Sequence, residues 1–259
     1  MLFAGIDIGS QSTDVVIIDE NKKIVSYSII PSGAVHTYAT LKAFEIACQQ
    51  ANCKIEDIDY IVSTGYGRKN VAFAQKNITE ITCHVKGAFY LNPNIRTILD
   101  IGGQDSKVIK VDSDGKVLDF IMNEKCAAGT GRFLETIARV LEIDLKDMGP
   151  KALESTKDVK LSSTCTVFAE SEVISKIAEG EKIEDILNGV HESISDRAIA
   201  MLQKLGIQET IAMTGGVAKN IGVVSAISKK LGTDIYVPDE PQIIGALGAA
   251  IFAYEKKNV

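Results

Sequence analysis

AGIDIGSQSTDVVIID (4–19) and TILDIGGQDSKVIKVD (97–112) superimpose at an offset of 93 residues, so that Asp7 falls on Asp100. Ile8, Gly9, Gln11, Val15 and Asp19 likewise recur as Ile101, Gly102, Gln104, Val108 and Asp112. The match continues through NKKIV (21–25) against DGKVL (114–118). Each copy alternates apolar runs with a Gly-containing tight turn and then a polar turn, which predicts three strands in a meander. A second pair, IVSTGYGRKN (61–70) and IAMTGGVAKN (211–220), shares Ile, Thr-Gly and Asn. Each of these predicts an apolar strand running into a Thr-Gly turn.

The two halves are unequal. From Asp7 to Thr64 is 57 residues and from Asp100 to Thr214 is 114, so the second half carries about 57 more, Cys126 and Cys165 among them. Between the paired motifs the periodicity turns helical. Tyr38, Leu41, Phe44 and Cys48 form one apolar stripe, and Phe133, Leu134, Ile137, Ala138 and Leu141 a second. Val173, Ile174, Ile177 and Ala178 form a third, stopped by Gly180. Val190, Ile194, Ala198, Met201 and Leu205 form a fourth, with Gly206 just past its end. Strands followed by helices in two similar halves predict an α/β protein of two like domains facing a cleft. The break is expected at Leu91–Arg96, giving domains 1–95 and 96–259, with the C-terminal helix free to pack back on the first.

Composition narrows the class. Of 259 residues, 46% are hydrophobic and 24% charged, the balance of an ordinary globular chain. A net charge of −6 argues against a nucleic-acid footprint, which needs a basic face to displace counterions. The longest apolar run, Ile243–Tyr254, falls well short of the ~20 residues that span a bilayer. The N-terminus, interrupted at once by Asp7, lacks the shape of a signal peptide. Five cysteines without a tight framework fit a cytoplasmic protein with reduced thiols.

A strand that ends in Asp and runs into small residues suits phosphate and Mg²⁺. Backbone N–H groups can approach phosphate oxygens there, hydroxyls add donors, and the carboxylate can hold Mg²⁺ through its water shell. Asp7 with Gly9, Ser10, Gln11, Ser12 and Thr13 offers this once. Asp100 with Gly102, Gly103, Gln104 and Asp105 offers it again. One such turn alone is more often an ordinary hairpin; two, joined by a Thr-Gly-Gly turn, point to a polyphosphate gripped from two sides.

On these motifs the chain resembles the actin, Hsp70 and sugar-kinase superfamily, whose domains are ribonuclease-H-like. GIDIGSQS looks like its first phosphate motif, LDIGGQD like its second and MTGGVAKN like its adenosine motif. IIGALGAAIFAY (243–254) looks like its last connecting helix, in which small residues permit close packing. The resemblance places Asp7 and Asp100 near Mg²⁺, with Gln104 and Asp105 beside the reacting phosphate. It sets Gly215, Gly216, Val217, Asn220 and Gln242 around the rest of the nucleotide. The TGYGR segment (64–68) reads as structural, or, through Arg68, as a surface for a partner.

Cys126 sits in NEKCAAGTGRFLETIARVL and Cys165 in LSSTCTVFAESEVISKIAEG, each just ahead of a helix pattern. A thiol at a helix N-terminus has its thiolate favoured, although lone cysteines are usually small buried hydrophobes. The turn Gly129-Thr130-Gly131 that follows Cys126 is a further phosphate candidate. Two thiolates cannot fill the four-ligand shell of zinc or a cubane cluster, whereas a twofold dimer can. Cys48, Cys53 and Cys83 lack that setting and read as structural; His84 is a weak metal signal, and His36 and His191 read as solvent or helix-face residues.

KCAAGTGRF and SSTCTVFAESEVIS carry a sharper resemblance, to the ATP-dependent activators of 2-hydroxyacyl-CoA dehydratases within the BadF/BadG/BcrA/BcrD ATPase family. It implies a homodimer bridged by one 4Fe-4S cluster on Cys126 and Cys165 of both chains. It also implies that ATP hydrolysis with Mg²⁺ drives a low-potential electron, received from a donor such as ferredoxin or flavodoxin, into a partner iron–sulfur enzyme. That acceptor is a dehydratase or a reductase carrying a double-cubane cluster. PSGAVHTYAT (31–40) departs from the Gly/Thr-rich stretch of many dehydratase activators, which leaves the acceptor open. The alternative within the same superfamily is a small-molecule kinase, which leaves the two cysteines unexplained. A chaperone module of the Hsp70 type would want a peptide-binding domain beyond Val259.

Overall fold

In the computed structural model, which describes residues 1–33, 36–124, 126–161 and 166–257, both copies of the repeat fold as meanders. The first gives β1 (Leu2–Ile8), β2 (Ser12–Asp19) and β3 (Ile24–Pro31), followed by α1 (His36–Gln50), β4 (Ile58–Gly65), the short β5 (Lys76–Asn77) and α2 (Glu80–Leu91). The second gives β6 (Thr97–Ile101), β7 (Ser106–Val111) and β8 (Val117–Asn123). It continues through α3 (Gly131–Val140), α4 (Met148–Leu153), α5 (Thr166–Ala178), α6 (Ile183–Leu205), β9 (Ile211–Thr214) and α7 (Ile221–Leu231). Helix α8 (Ile244–Lys257) comes last. The sheets run β3-β2-β1-β4-β5 and β8-β7-β6-β9, the same order with β9 in the place of β4. Within the first sheet β1 is antiparallel to β2 and parallel to β4, so Asp7 lies opposite Asp14 on one side and Thr64 on the other.

The chain packs as two units, one of Met1–Ile98, Ile109–Asp119 and Glu240–Val259, the other of Leu99–Val108 and Phe120–Asp239. In the first, β1 and β2 are buried on both faces, and their side chains alternate between two cores with the period of two that a strand imposes. Ile6, Ile8, Val15 and Ile17 face Phe44 and Ala47 of α1. Phe3, Val16 and Ile18 face Leu247 and Ile251 of α8. The small residues of α8 let backbone meet backbone. A Cβ on Gly248 would lie 1.8 Å from the Cys83 carbonyl of α2, and one on Gly5 of β1 would lie 1.9 Å from the Ala246 carbonyl. In the second unit, Leu99, Ile101 and Val108 pack with Phe133, Leu187, Ile194, Met213 and Ile227.

The stripes on α3 and α6 are buried along the expected residues, with Met201 and Leu205 at the margin. Gly206 closes α6 at φ 84, its N–H bonded to the Leu202 carbonyl. Two expectations need correction. On α1, Tyr38 and Leu41 are exposed at 67% and 41%, because the buried line runs through the smaller Ala39, Ala43 and Ala47 with Phe44 and Cys48. On α5 only Val173 of the stripe is buried with Ala169, whereas Ile174, Ile177 and Ala178 lie on a face that the chain's described residues leave uncovered. Helix α2, which no large apolar periodicity announces, buries Cys83, His84, Val85, Gly87 and Ala88.

Candidate functional site

The first Asp-Gly turn is clamped from beneath. Gly9 N–H bonds the Ser12 carbonyl at 2.9 Å, Ser32 N–H bonds the Gln11 carbonyl at 2.9 Å, and the Ser32 hydroxyl donates to the Gly9 carbonyl at 2.9 Å. Buried Thr13 places its hydroxyl 3.0 Å from that of Ser32. Ser12 Oγ donates to Asp14 Oδ2 at 3.1 Å and accepts from Gln242 Nε2 at 2.8 Å, which brings two expected nucleotide-facing residues together. Asp7 is buried, with His84 Nε2 3.7 Å from its Oδ2. Its carboxylate is boxed by glycines: a Cβ at Gly65 would stand 2.2 Å from Oδ1, and one at Gly245 2.0 Å from Oδ2. Ser10 is exposed at the tip.

The second turn repeats the first in backbone and not in chemistry. Gly102 N–H bonds the Asp105 carbonyl at 3.0 Å, as Gly9 bonds Ser12. Asp100 is buried, with Oδ1 accepting from Thr214 Oγ1 at 2.7 Å and Oδ2 lying 3.3 Å from Lys107 Nζ. Lys107, itself 1% exposed, also meets Asp105 Oδ2 at 2.7 Å. Neither spacing nor periodicity singled out this lysine. Gln104 is exposed.

The Thr-Gly turns of the two copies match. Gly65 and Gly215 both adopt φ +84, a region L-residues avoid. A Cβ at Gly215 would lie 2.4 Å from the Ile101 carbonyl and 3.0 Å from Asp100 Oδ1, so this turn rests directly on the second Asp-Gly turn. Gly216–Lys219 then form a 3-10 turn, with Val217 buried, and Asn220 caps α7 by accepting from Gly222 N–H and Val223 N–H. Arg68, in the segment read as structural or as a partner surface, is half-buried and donates to the Gly65 carbonyl at 3.0 Å, so its guanidinium closes the first Thr-Gly turn.

The Gly129-Thr130-Gly131 turn is turned inward. Gly131 N–H bonds the Gly102 carbonyl at 2.9 Å and Arg132 N–H the Gly103 carbonyl at 2.8 Å. Thr130 Oγ1 lies 3.0 Å from the Gly103 carbonyl and 2.6 Å from that of Ala127. These groups of the α3 N-terminus therefore buttress the second Asp-Gly turn. Cys126 is half-buried, and its carbonyl accepts from Asn123 Nδ2 at 3.2 Å. Helix α3 begins at Gly131 with Thr130 as its N-cap, so Cys126 stands ahead of the helix and not in its first turn. Cys165 lies outside the described residues.

The model of the BadF/BadG/BcrA/BcrD ATPase family matches residues 4–253. The chain belongs to this family. It is 48% identical over 255 residues to the activator of lactoyl-CoA dehydratase from Anaerotignum propionicum, covering 98% of both chains. It superimposes with a TM-score of 0.97, at 45% identity and over 100% of this chain and 96% of the other, on the activator of the 2-hydroxyisocaproyl-CoA dehydratase from Clostridium difficile with bound ADPNP. A ROK-family glucokinase from Streptomyces griseus, complexed with glucose and AMPPNP, matches at TM-score 0.60 and 12% identity over 98% of this chain and 100% of its own, a likeness of fold alone. The expected mixed α/β fold of the actin, Hsp70 and sugar-kinase type is the one this family member adopts.

Around that family core, the buried thiols Cys48 and Cys83 are held in their unreactive protonated form. Burial pushes the Cys83 thiol up to about 12, and burial beside Cys53 does the same to Cys48. Burial rather than exposure also governs His191, expected at a solvent or helix face: it is 1% exposed and its pKa is lowered to about 4. Asp185 of α6 accepts from Ser155 Oγ, Thr156 N–H and Lys157 N–H at 2.8–2.9 Å, which holds its carboxyl below the usual range and pins the segment leading toward 162. A cavity of about 320 Å³ opens between this segment, Asn188 and Glu192 of α6, and Gly222 and Lys229 of α7. Among the described residues no helix is long and apolar enough to cross a membrane.

Proposed function

We propose that this chain hydrolyses ATP to drive a low-potential electron into a partner iron–sulfur enzyme of the hydroxyacyl-CoA dehydratase class; the names of its relatives, which call them activators of such dehydratases, support the choice of partner. The observation that carries the reading is the junction of Thr130, Gly131 and Arg132 with the carbonyls of Gly102 and Gly103. Through it the segment bearing Cys126 hangs on a phosphate-type turn, so a change at that turn moves the cysteine's anchor. Asp7 and Asp100 would be the carboxylates that hold Mg²⁺ through its water shell, and Gln104 and Asp105 would orient the attacking water. The turns Gly9–Thr13 and Gly102–Gly103 would meet phosphate oxygens through backbone N–H groups other than those of Gly9 and Gly102, which bond the Ser12 and Asp105 carbonyls, and Gly215, Gly216, Val217, Asn220 and Gln242 would seat the remainder of the nucleotide.

A 4Fe-4S cluster, one per homodimer, would be held by Cys126 and Cys165 of both chains and would supply one-electron chemistry. Cys126 fits that duty: it is a free, half-buried thiol, unlike buried Cys48 and Cys83. Exposed Ile174 and Ile177 on α5, the helix after Cys165, support a second chain packing on that face. Ferredoxin or flavodoxin suits the donor role and the cytoplasm the location. A double-cubane reductase is the other acceptor to assay.

The test is iron analysis of anaerobically purified protein, followed by ATP-dependent reduction of a partner dehydratase. The reading expects about two irons per chain, the share of one shared cubane. Cys126→Ala and Cys165→Ala should lose the iron, and Cys48→Ala, Cys53→Ala and Cys83→Ala should keep it. About four irons per chain, or a Cys126→Ala protein that retains its iron, would overturn the bridging assignment. Absence of iron together with phosphorylation of a hydroxylated small molecule would favour the kinase.

A further inference from the structure

The amide of Asn220 is oriented from three sides. Its Oδ1 accepts two N–H groups, from Gly222 at 3.0 Å and Val223 at 3.2 Å, so the oxygen faces the helix it caps. The other end, Nδ2, can only donate, and it stands 3.2 Å from Nε2 of His191 on α6. For that contact to be a hydrogen bond, Nε2 must be the lone-pair nitrogen and the proton must sit on Nδ1. Burial keeps the ring neutral at pH 7, since it lowers the pKa of His191 to about 4, and the Asn220 contact then selects the tautomer. The ring packs against the start of α7, where a Cβ on Gly222 would fall 2.5 Å from Nδ1 and 2.8 Å from Cε1. Nδ1 has no hydrogen-bond partner among the described residues, so the single polar interaction that the ring makes there is the one with Asn220.

We infer that His191 is a positioning residue for the nucleotide, acting through Asn220 on the Gly215–Asn220 turn. This rests on the reading of that turn as the nucleotide's seat. Asn220 spends its Oδ1 on the helix cap and one Nδ2–H on His191, so its side chain shapes the turn. Remove the acceptor on α6 and the Nδ2 end of the amide loses its partner, so the side chain is held from the cap end only. The cap then holds the turn less firmly, and the Gly215–Val217 backbone is presented less often in its binding shape. The effect is on seating, not on the reacting phosphate, so it belongs in KM and not in kcat.

The experiment measures ADP affinity by calorimetry and ATP hydrolysis kinetics for the full chain, His191→Leu and His191→Gln, with imidazole ¹⁵N NMR on the wild type. His191→Leu should weaken ADP binding and raise KM for ATP by about fivefold, the scale of one neutral hydrogen bond, while kcat changes less. His191→Gln, which returns an acceptor near the Nε2 position, should restore most of it. The NMR spectrum should show neutral His191 with its proton on Nδ1 at pH 7, a readout that does not depend on either variant folding. A proton on Nε2, or His191→Leu with unaltered affinity in a protein whose wild type binds ADP, overturns the inference alone. A wild type that binds neither ADP nor ATP overturns the inference together with the functional reading beneath it.

Discussion

Lys107 Nζ stands 3.3 Å from Asp100 Oδ2 and 2.7 Å from Asp105 Oδ2, at the place where the first copy of the repeat carries Asp14, which lies opposite Asp7 across β1 and β2. The offset of 93 residues thus preserves the backbone and inverts a charge. In the second copy the carboxylate at the strand end has its own buried cation. In the first, two acidic groups face one another on adjacent strands, an arrangement that is unfavourable unless a positive group joins it. His84 Nε2 lies 3.7 Å from Asp7 Oδ2.

Replacing Lys107 by Met should therefore be costly in a way Lys110 or Lys116 is not. Asp100 would stay buried and lose its cation, and breaking a buried pair by removing one partner costs about 3–5 kcal/mol. Urea unfolding should show that loss, and ATP hydrolysis should fall with it. Lys107→Arg, which keeps the charge in a larger shape, should recover part of both. A Lys107→Met protein with wild-type midpoint would mean that the ion pair contributes nothing net.

Gly215→Ala should be worse than Gly232→Ala although both positions hold a positive φ, +84 and +69. At Gly232 nothing lies within 4 Å of an added Cβ, so the cost is the backbone strain of about 1–2 kcal/mol alone. At Gly215 the methyl would meet the Ile101 carbonyl at 2.4 Å and push the turn away from Asp100. The prediction is a larger drop in stability, with loss of ADP affinity, for Gly215→Ala. Equal thermal midpoints for the two variants would defeat it.

Much of this was legible because the motifs are backbone instructions. Thr-Gly at 64–65 and 214–215 reads as a turn, and both glycines adopt φ +84. The glycines of 243–254 read as close packing, and Gly248 sits against the Cys83 carbonyl. What escaped reading depends on partners distant in sequence. Lys107 looks like a strand residue until Asp100 and Asp105 are folded around it. His191 sits one residue from the Val190 stripe, and only Gly222 and Asn220, far along the chain, make that position an interior one. Helix α2 hid because its buried face is built from Cys83, Gly87 and Ala88, which give little hydrophobic signal.

Thr130→Val should uncouple Cys126 from the second turn. The side chain keeps its volume and loses the hydroxyl contacts to the Gly103 and Ala127 carbonyls. In iron-free wild type, nucleotide should change the alkylation rate of Cys126 by at least about fivefold, the low end of typical coupling between sites. In Thr130→Val the change should shrink toward none. Cys48 and Cys83, pushed up to about 12, should stay unlabelled at pH 8 and serve as internal references. Undiminished nucleotide dependence in the variant would remove Thr130 from the coupling.

His191 also fixes how stability depends on pH. Its pKa is about 4 when folded and about 6.5 when unfolded, so below pH 6.5 the unfolded chain takes up a proton that the native state refuses. Native stability is then intact above 6.5 and declines as pH falls toward 4, where the loss levels off. Between pH 7 and pH 5 the decline from this one residue is about 2 kcal/mol. Carboxylates held low in the native state, such as Asp112 and Asp185, act in the same direction only at more acidic pH. Urea unfolding of wild type and His191→Gln at pH 7, 6 and 5 separates the two contributions. The wild type should lose stability over that range and the variant should lose much less. Parallel curves would mean that His191 takes up its proton in the native state, and with it that the ring can abandon Asn220 without unfolding.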